Sequence, residues 1–143
     1  MKEIQVPVEF VELDENSYHP LVTVAVGSIE GDFIVDTGAS ITVVDLGTPF
    51  THEPLEDARG ISSGGIGGEI GEVKLVRLPA LHVGDHALED VRAALLDLQY
   101  VNTLYHDRLR RRVAGLLGSD FLLKYRAVID YENKRLTLKV SPS

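Results

Sequence analysis

The strongest constraint on the fold is one acidic residue placed directly after an apolar strand. Phe33, Ile34 and Val35 have the composition of a buried β-strand, and Asp36 follows them at once. A carboxylate in such a place is costly to bury unless hydrogen bonds satisfy its oxygens. Residues 37–40, Thr-Gly-Ala-Ser, can supply them, because the glycine permits a tight turn and the hydroxyls donate. The sequence therefore predicts a carboxyl group held rigidly at the mouth of a sheet.

An Asp-Thr-Gly tripeptide after a strand can be an ordinary turn, and three residues are weak evidence on their own. The rest of the sequence gives this turn a more specific setting. A glycine-rich stretch follows at residues 64–70, and a second apolar run into glycine follows at residues 115–122. These three pieces, in this order, resemble the retropepsin-like aspartic proteases, a family of single-domain enzymes that includes the retroviral proteases. The resemblance covers residues 18–140, which is most of the chain.

Many short strands are expected, and they favour an all-β, barrel-like fold. Alternating or continuous apolar residues predict strands at 4–10, 21–26, 33–36, 41–44, 73–78, 81–83, 88–91, 93–96, 116–118, 127–131 and 135–140. Pro7 places the first of these at a sheet edge. The resemblance implies a retropepsin-like closed barrel with a flap hairpin and one short C-terminal α-helix. One domain over residues 1–143 is expected, and two copies would form a two-fold homodimer.

The helix predictions are local. Ser119 can cap a helix that runs through Lys124. Residues 97–114 could form a short amphipathic helix through Tyr100 and Leu104, but the basic run at 108–112 favours a solvated loop. Relative to the compact retroviral members, this segment resembles an insertion.

The chemistry that the resemblance implies is aspartic proteolysis, which needs two carboxylates that share one proton. The chain carries one Asp-Thr-Gly motif, so the second carboxylate must come from a second copy of the chain. The implied catalytic residues are Asp36, Thr37 and Gly38. Asp36 of both chains would lie at the dimer axis, Thr37 would interlock across it, and the Gly38 N–H would hold the carboxylate.

The glycine-rich stretch would form the flap that closes over an extended peptide substrate. Its backbone groups can bond the substrate main chain, while the isoleucine at the tip excludes water. Glu69 stands where retroviral flaps often carry an apolar residue, which leaves the substrate preference open. The implied substrate-binding residues are Ala39, Gly64, Gly65, Ile66, Gly67 and Gly68.

Composition argues against several other classes of function. The chain has no cysteine, which excludes disulfides and thiolate metal sites and fits a reducing, cytoplasmic location. A formal net charge of −8 makes nucleic acid a poor partner. No apolar run approaches the roughly 18 residues of a membrane span. The stretch at 64–71 lacks the lysine of a phosphate loop, and Gly84-Asp85 separates His82 from His86, so neither a cofactor nor a metal is expected.

Two alternatives from other classes remain open. The fold could serve as a catalytically silent dimerisation or peptide-binding module, although the intact Asp36-Thr37-Gly38 motif argues against this. The chain could also be an unrelated β-barrel that binds a small ligand. Cleavage of a peptide library and the oligomeric state in solution would discriminate these alternatives from a protease.

Overall fold

The structure is a computed structural model that describes residues 1–50, 52–55 and 74–141. Within these residues the strands are β1 (Lys2–Pro7), β2 (Glu9–Asp14), β3 (Ser17–Val26), β4 (Ile29–Val35), β5 (Val43–Asp45), β6 (Glu53–Pro54), β7 (Lys74–Leu78), β8 (Leu81–Val83), β9 (His86–Leu88), β10 (Val91–Leu96), β11 (Val113–Leu117), β12 (Val128–Asp130) and β13 (Arg135–Val140), and the helices are α1 (Gln99–Leu109) and α2 (Ser119–Lys124). The predicted all-β fold is confirmed in the coarser form of a mostly-β fold, since the described residues also form two helices. The predicted flap at residues 64–68 lies outside the described residues.

Most of the strands belong to one large mixed sheet with the order β6-β7-β10-β5-β11-β4-β3-β8-β9, and β2 joins it at β3. Two of its strand pairs, β4 with β11 and β5 with β10, are parallel. A smaller antiparallel sheet has the order β1-β13-β12. Among the described residues the large sheet curls, but its first and last strands do not pair, so the closed barrel is not confirmed.

The N-terminal strand differs from its prediction. A single strand over residues 4–10 is wrong, since the chain forms two strands, β1 and β2, which belong to different sheets. The break falls at Pro7, which has no N–H to donate to a ladder. The next residue, Val8, donates its N–H to the Lys134 carbonyl oxygen at 2.9 Å. The edge position that Pro7 predicts is confirmed, because β1 is a terminal strand of its sheet.

The helices also differ from the prediction of one short helix, since α1 is an eleven-residue helix in the segment predicted to be a loop. The helix is held by Tyr105, whose side chain is fully buried, whereas Tyr100 is 88% exposed. Leu98, Asn102 and Tyr105 share the buried face at helical spacing. The polar Asn102 on that face obscured the apolar pattern on which a sequence prediction depends.

β4 separates two apolar layers, because successive side chains of a strand point to opposite faces. Phe33 and Val35 pack into the larger core cluster. Ile34 packs into a smaller cluster with Tyr105 of α1 and with Leu116 of β11. α1 therefore covers the face of the sheet opposite the main core.

None of the helices in the described residues combines the length and the apolar character that crossing a membrane requires.

Candidate active site

Asp36 leaves the sheet at the end of two parallel strands. β4 and β11 pair through Ile34 opposite Leu116 and Val35 opposite Leu117. The Asp36 N–H continues the ladder and donates to the Leu117 carbonyl oxygen at 2.9 Å. The backbone at Asp36 is therefore fixed by the sheet, which limits how far its side chain can move.

The turn after Asp36 holds one oxygen of the carboxylate. The Gly38 N–H donates to Asp36 Oδ1 at 3.0 Å, and the Ala39 N–H donates to the Asp36 carbonyl oxygen at 3.1 Å. Asp36 is half-buried, while Thr37 and Gly38 are exposed. A rigidly held carboxylate that still reaches solvent suits proton transfer to or from a bound molecule.

Ser119, the first residue of α2, supports the turn from beneath. Its N–H donates to the Ala39 carbonyl oxygen at 2.7 Å, and its hydroxyl donates to the Thr37 carbonyl oxygen at 2.8 Å. The prediction that Ser119 caps α2 is wrong, because the N-cap residue is Gly118 and no side chain caps the helix. The Ser119 hydroxyl bonds the turn instead, so α2 and the Asp36 turn form one unit.

Thr42 links the same elements from the other side. This fully buried residue donates its hydroxyl to Asp120 Oδ1 at 2.8 Å and accepts the Gly118 N–H at 3.1 Å. Asp120 of α2 thus accepts a hydrogen bond from a residue 78 positions earlier in the chain. Thr42 was missed, because no local pattern ties a threonine to a helix that begins 77 residues later.

Gly118 fills a place where no side chain fits. A Cβ atom built on Gly118 would lie 2.6 Å from the Ile41 carbonyl carbon and oxygen, and 2.9 Å from the Ala39 carbonyl oxygen. These are backbone atoms of the Asp36 turn and its continuation, so they cannot rotate away. The glycine at the end of β11 thus permits the close approach that positions the turn on α2.

Of the predicted site residues, Asp36, Thr37, Gly38 and Ala39 lie together in this turn. The predicted substrate-binding residues at 64–68 lie outside the described residues, so their placement stays a prediction. The segment 115–122 supports the turn through Leu117, whose carbonyl oxygen accepts the Asp36 N–H, and through Ser119, which bonds Thr37 and Ala39.

The helix α1 is joined to the sheet by a second set of contacts, which we call the α1 junction: Glu9, Asp32, Asp45, Asn102, Arg111 and Arg112. Asp45 has a side chain only 3% exposed, and its Oδ1 accepts the Leu98 N–H at the start of α1 at 3.0 Å. Its Oδ2 pairs with Arg112 Nη2 at 2.5 Å. The buried carboxylate thus satisfies a helix N–H and is compensated by a cation.

Two further contacts complete the junction at the end of α1. Asn102 makes two hydrogen bonds with the backbone of Val113 in β11. Its Oδ1 accepts the Val113 N–H at 2.6 Å, and its Nδ2 donates to the Val113 carbonyl oxygen at 3.0 Å. Arg111 donates to Glu9 at 2.7 Å and to Asp32 at 2.9 Å. The hydrogen bond from Arg111 lowers the pKa of Glu9. The hydrogen bonds that Arg111 makes to Glu9 and Asp32 raise the pKa of Arg111. The basic run is therefore partly engaged in ion pairs and is not a freely solvated loop.

His19 of β3 also contacts α1. Its Nδ1 lies 2.7 Å from the hydroxyl oxygen of Tyr105. Burial raises the pKa of the Tyr105 hydroxyl, which therefore stays protonated. Among the described residues, no group of three or more His, Asp or Glu side chains is arranged to hold a metal ion.

Comparisons with known proteins agree with this geometry. The sequence profile of a family described as aspartyl protease matches residues 22–121, which include the Asp36 turn, Thr42 and Ser119. No curated protein sequence matches the chain significantly. Among solved structures, a retropepsin-like aspartic protease from Rickettsia conorii matches with a TM-score of 0.53 and 18% sequence identity, over 96% of this chain and 90% of that chain. At this identity the structural match establishes the retropepsin-like fold, while the profile covers well over half of the chain. The chain therefore belongs to the aspartyl protease family.

Proposed function

We propose that the protein is an aspartic endopeptidase that hydrolyses peptide bonds between two Asp36 carboxylates, one from each subunit of a homodimer. The observation that carries the proposal is the Asp36 carboxylate itself, held by the Gly38 N–H at 3.0 Å and half-open to solvent at the end of paired strands. Family membership supports an aspartyl protease in general terms.

The proposed mechanism divides two roles between the two carboxylates. The ionised Asp36 takes a proton from a water molecule as the water oxygen attacks the scissile carbonyl carbon. The protonated Asp36 of the other subunit donates a hydrogen bond to the carbonyl oxygen, which gains negative charge. The C–N bond then breaks as the first Asp36 gives the proton that it took from water to the leaving nitrogen, and the carbonyl group re-forms, which releases a carboxylic acid and an amine. Like charges this close cannot both ionise, so the pair shares one proton and titrates as a unit.

The need for a dimer follows from the sequence. The chain has one Asp-Thr-Gly motif, and the motif's exposed residues Thr37 and Gly38 are free for contact with a second copy. A two-fold axis through this turn would bring two equivalent carboxylates together. Thr37 would pack against its symmetry mate, which would fix the distance between the two Asp36 side chains.

The substrate in this proposal is an extended peptide or protein segment. Residues 64–68 would close over it as a flap, with Ile66 at the tip and the glycine backbone bonding the peptide main chain. Ala39 would contact the peptide from the opposite side. A closed flap excludes bulk water and strengthens the electrostatic interactions at the carboxylate pair.

Asp36→Asn tests the chemistry directly. Asparagine has nearly the same shape, and its side-chain oxygen can still accept the Gly38 N–H, so the fold and the dimer should persist. Cleavage of a broad peptide pool by the wild-type protein should be blocked by an aspartic-protease inhibitor. In the variant it should fall by a factor on the order of a hundred to ten thousand.

A different outcome would favour the silent alternative. If the wild-type protein forms a stable dimer and binds peptides but cleaves none of the pool, the fold serves as a binding module. Substantial cleavage by purified Asp36→Asn protein would exclude the proposed mechanism, because this variant lacks the ionisable group on which the mechanism depends.

A further inference from the structure

The face of the large sheet that carries the Asp36 side chain also carries α1. Asp32, Ile34 and Asp36 occupy alternate positions of the same strand and its continuation, so their side chains share one face. Leu21 of β3 and Leu116 of β11 stand opposite Ile34 in the two neighbouring strands. These apolar residues pack in one cluster with Tyr105 of α1. A peptide that lies across Asp36 on this face therefore lies beside α1.

His19 of β3 lies at the same end of the β3–β4 pair as Asp36. The ladder of these antiparallel strands ends at Leu21 opposite Ile34, and His19 and Asp36 each lie two residues beyond that last pair. The two-residue step places the His19 side chain on the face of Leu21 and Ile34, where it contacts Tyr105. His19 is half-buried.

Tyr105 fixes the His19 ring from α1. The two rings stack with centroids 5.8 Å apart, and the Tyr105 hydroxyl lies 2.7 Å from His19 Nδ1. Tyr105 is fully buried, so its hydroxyl needs this partner. When the hydroxyl donates to Nδ1, the neutral ring carries its proton on Nε2. Nε2 then presents an N–H donor.

The Arg111 guanidinium beside this face is already engaged. It is bound by Glu9 and Asp32 at 2.7 and 2.9 Å. Its positive charge is therefore balanced within the protein. His19 Nε2 is a donor that can meet a ligand on the Asp36 face.

We propose that His19, held by Tyr105 of α1, is a specificity-determining residue that donates a hydrogen bond from Nε2 to an acceptor side chain of the substrate, such as Gln or Glu. The inference rests on the proposed protease function and names the substrate class that the site prefers. In a two-fold dimer there are two such sites. They select acceptor side chains at a pair of positions placed symmetrically about the scissile bond.

Pairs of peptides that differ only by Gln or Met test this inference, because the two side chains are similar in length and only Gln accepts a hydrogen bond. The pairs are made at each of the three positions on either side of the bond that the wild-type protein cleaves. The wild type should prefer Gln about fivefold to tenfold in kcat/KM at one symmetric pair of positions, which is the size of one hydrogen bond. The difference should lie in KM.

Four variants separate this role from a structural one. His19→Phe should lower the ratio of Gln to Met cleavage to about one, and His19→Gln should restore part of the preference because it keeps a donor. Tyr105→Phe keeps the packing and loses only the hydroxyl, so the preference should weaken. His82→Phe alters a histidine of β8 whose Nδ1 contacts the Ala80 carbonyl oxygen, and it should leave the preference unchanged.

The outcomes are distinct. An unchanged ratio of Gln to Met cleavage in a folded His19→Phe protein overturns this inference and leaves the proposed protease function in place. If His19→Phe does not fold, an unchanged ratio in Tyr105→Phe overturns it in the same way. If the wild-type protein cleaves no peptide of the pool, the proposed function fails and this inference fails with it.

Discussion

The Asp36 turn and the α1 junction are both held by side chains from distant parts of the chain, but by different kinds of contact. The turn is held by backbone amides and by the hydroxyls of Thr42 and Ser119, with a glycine packed against backbone atoms. The junction is held by charged side chains, of which Arg112 is 58% exposed. Backbone contacts allow little adjustment, whereas long charged side chains can move and rehydrate.

This difference indicates how one fold can combine a fixed catalytic turn with a variable helix beside it. A side chain added at the turn would meet backbone atoms that cannot move aside. It should therefore lower both the stability of the fold and the cleavage activity. A substitution at the junction should cost stability according to how deeply its charge is buried.

Gly118→Ala should have the largest effect of these changes. The added methyl group would meet the carbonyl groups of Ile41 and Ala39, which belong to the backbone. We expect a loss of about 3 kcal/mol in the free energy of unfolding, typical of overpacking, together with a large loss of cleavage. Urea unfolding and peptide cleavage measure the two effects. Wild-type stability and activity in this variant would contradict the close approach of Gly118 to the turn.

Asp45→Ala should destabilise the junction by about 2 kcal/mol, because the Leu98 N–H would lose its acceptor in a buried place. Asp45→Asn is the matched variant, since it keeps an acceptor for Leu98 and loses only the charge. Arg112 is exposed enough to rehydrate, so the loss in Asp45→Asn should be smaller. Thermal or urea unfolding of the two variants side by side checks this order, and equal losses would assign the effect to the ion pair instead.

Gly47→Ala is the counterpart of Gly118→Ala in the other region. The added methyl group would meet the Arg112 guanidinium, which is the end of a flexible side chain. Arg112 can move aside, but this weakens its bond to the buried Asp45, so we expect a loss of about 1 kcal/mol, smaller than that of Gly118→Ala. A loss as large as that of Gly118→Ala would show that the junction is as rigid as the turn.

Glu9→Gln should have the smallest effect, and one that depends on pH. Arg111 lowers the pKa of Glu9, so the ionised carboxylate stabilises the folded state above the ordinary pKa of 4.5. This stabilisation disappears as the pH falls through the lowered value. Glu9 is 59% exposed, so screening should keep the difference between wild type and variant below about 1 kcal/mol at pH 7. Unfolding curves from pH 7 to pH 3 should show the difference vanish, and a difference that grows at low pH would have the wrong sign.

The sequence predicted the Asp36 turn well because its determinants are local. The apolar strand, the acidic residue and the glycine lie within six residues, from Phe33 to Gly38. Most strands between Ser17 and Leu96 were also predicted, since alternation and glycine turns are short-range signals.

The missed features depend on contacts between distant segments. Ser119 has the residue type of a helix cap, yet its hydroxyl bonds Thr37 because α2 packs under the turn. α1 was predicted to be a loop, because Asn102 and the arginines that follow look solvated until Val113 and Asp32 are brought beside them. Residue type alone does not reveal such partners.

The central claim is that one active site needs Asp36 from two chains, and mixed dimers test it most directly. Wild-type and Asp36→Asn chains are unfolded together and refolded, so that partners exchange, and the exchange is confirmed with a mass-tagged subunit. With equal affinities, active dimers follow the square of the wild-type fraction. An equal mixture should then keep about one quarter of the activity of the same total amount of wild-type protein, by mass action. Retention of about one half, with a linear loss as the mutant fraction rises, would contradict the shared site and would require both carboxylates to come from one chain.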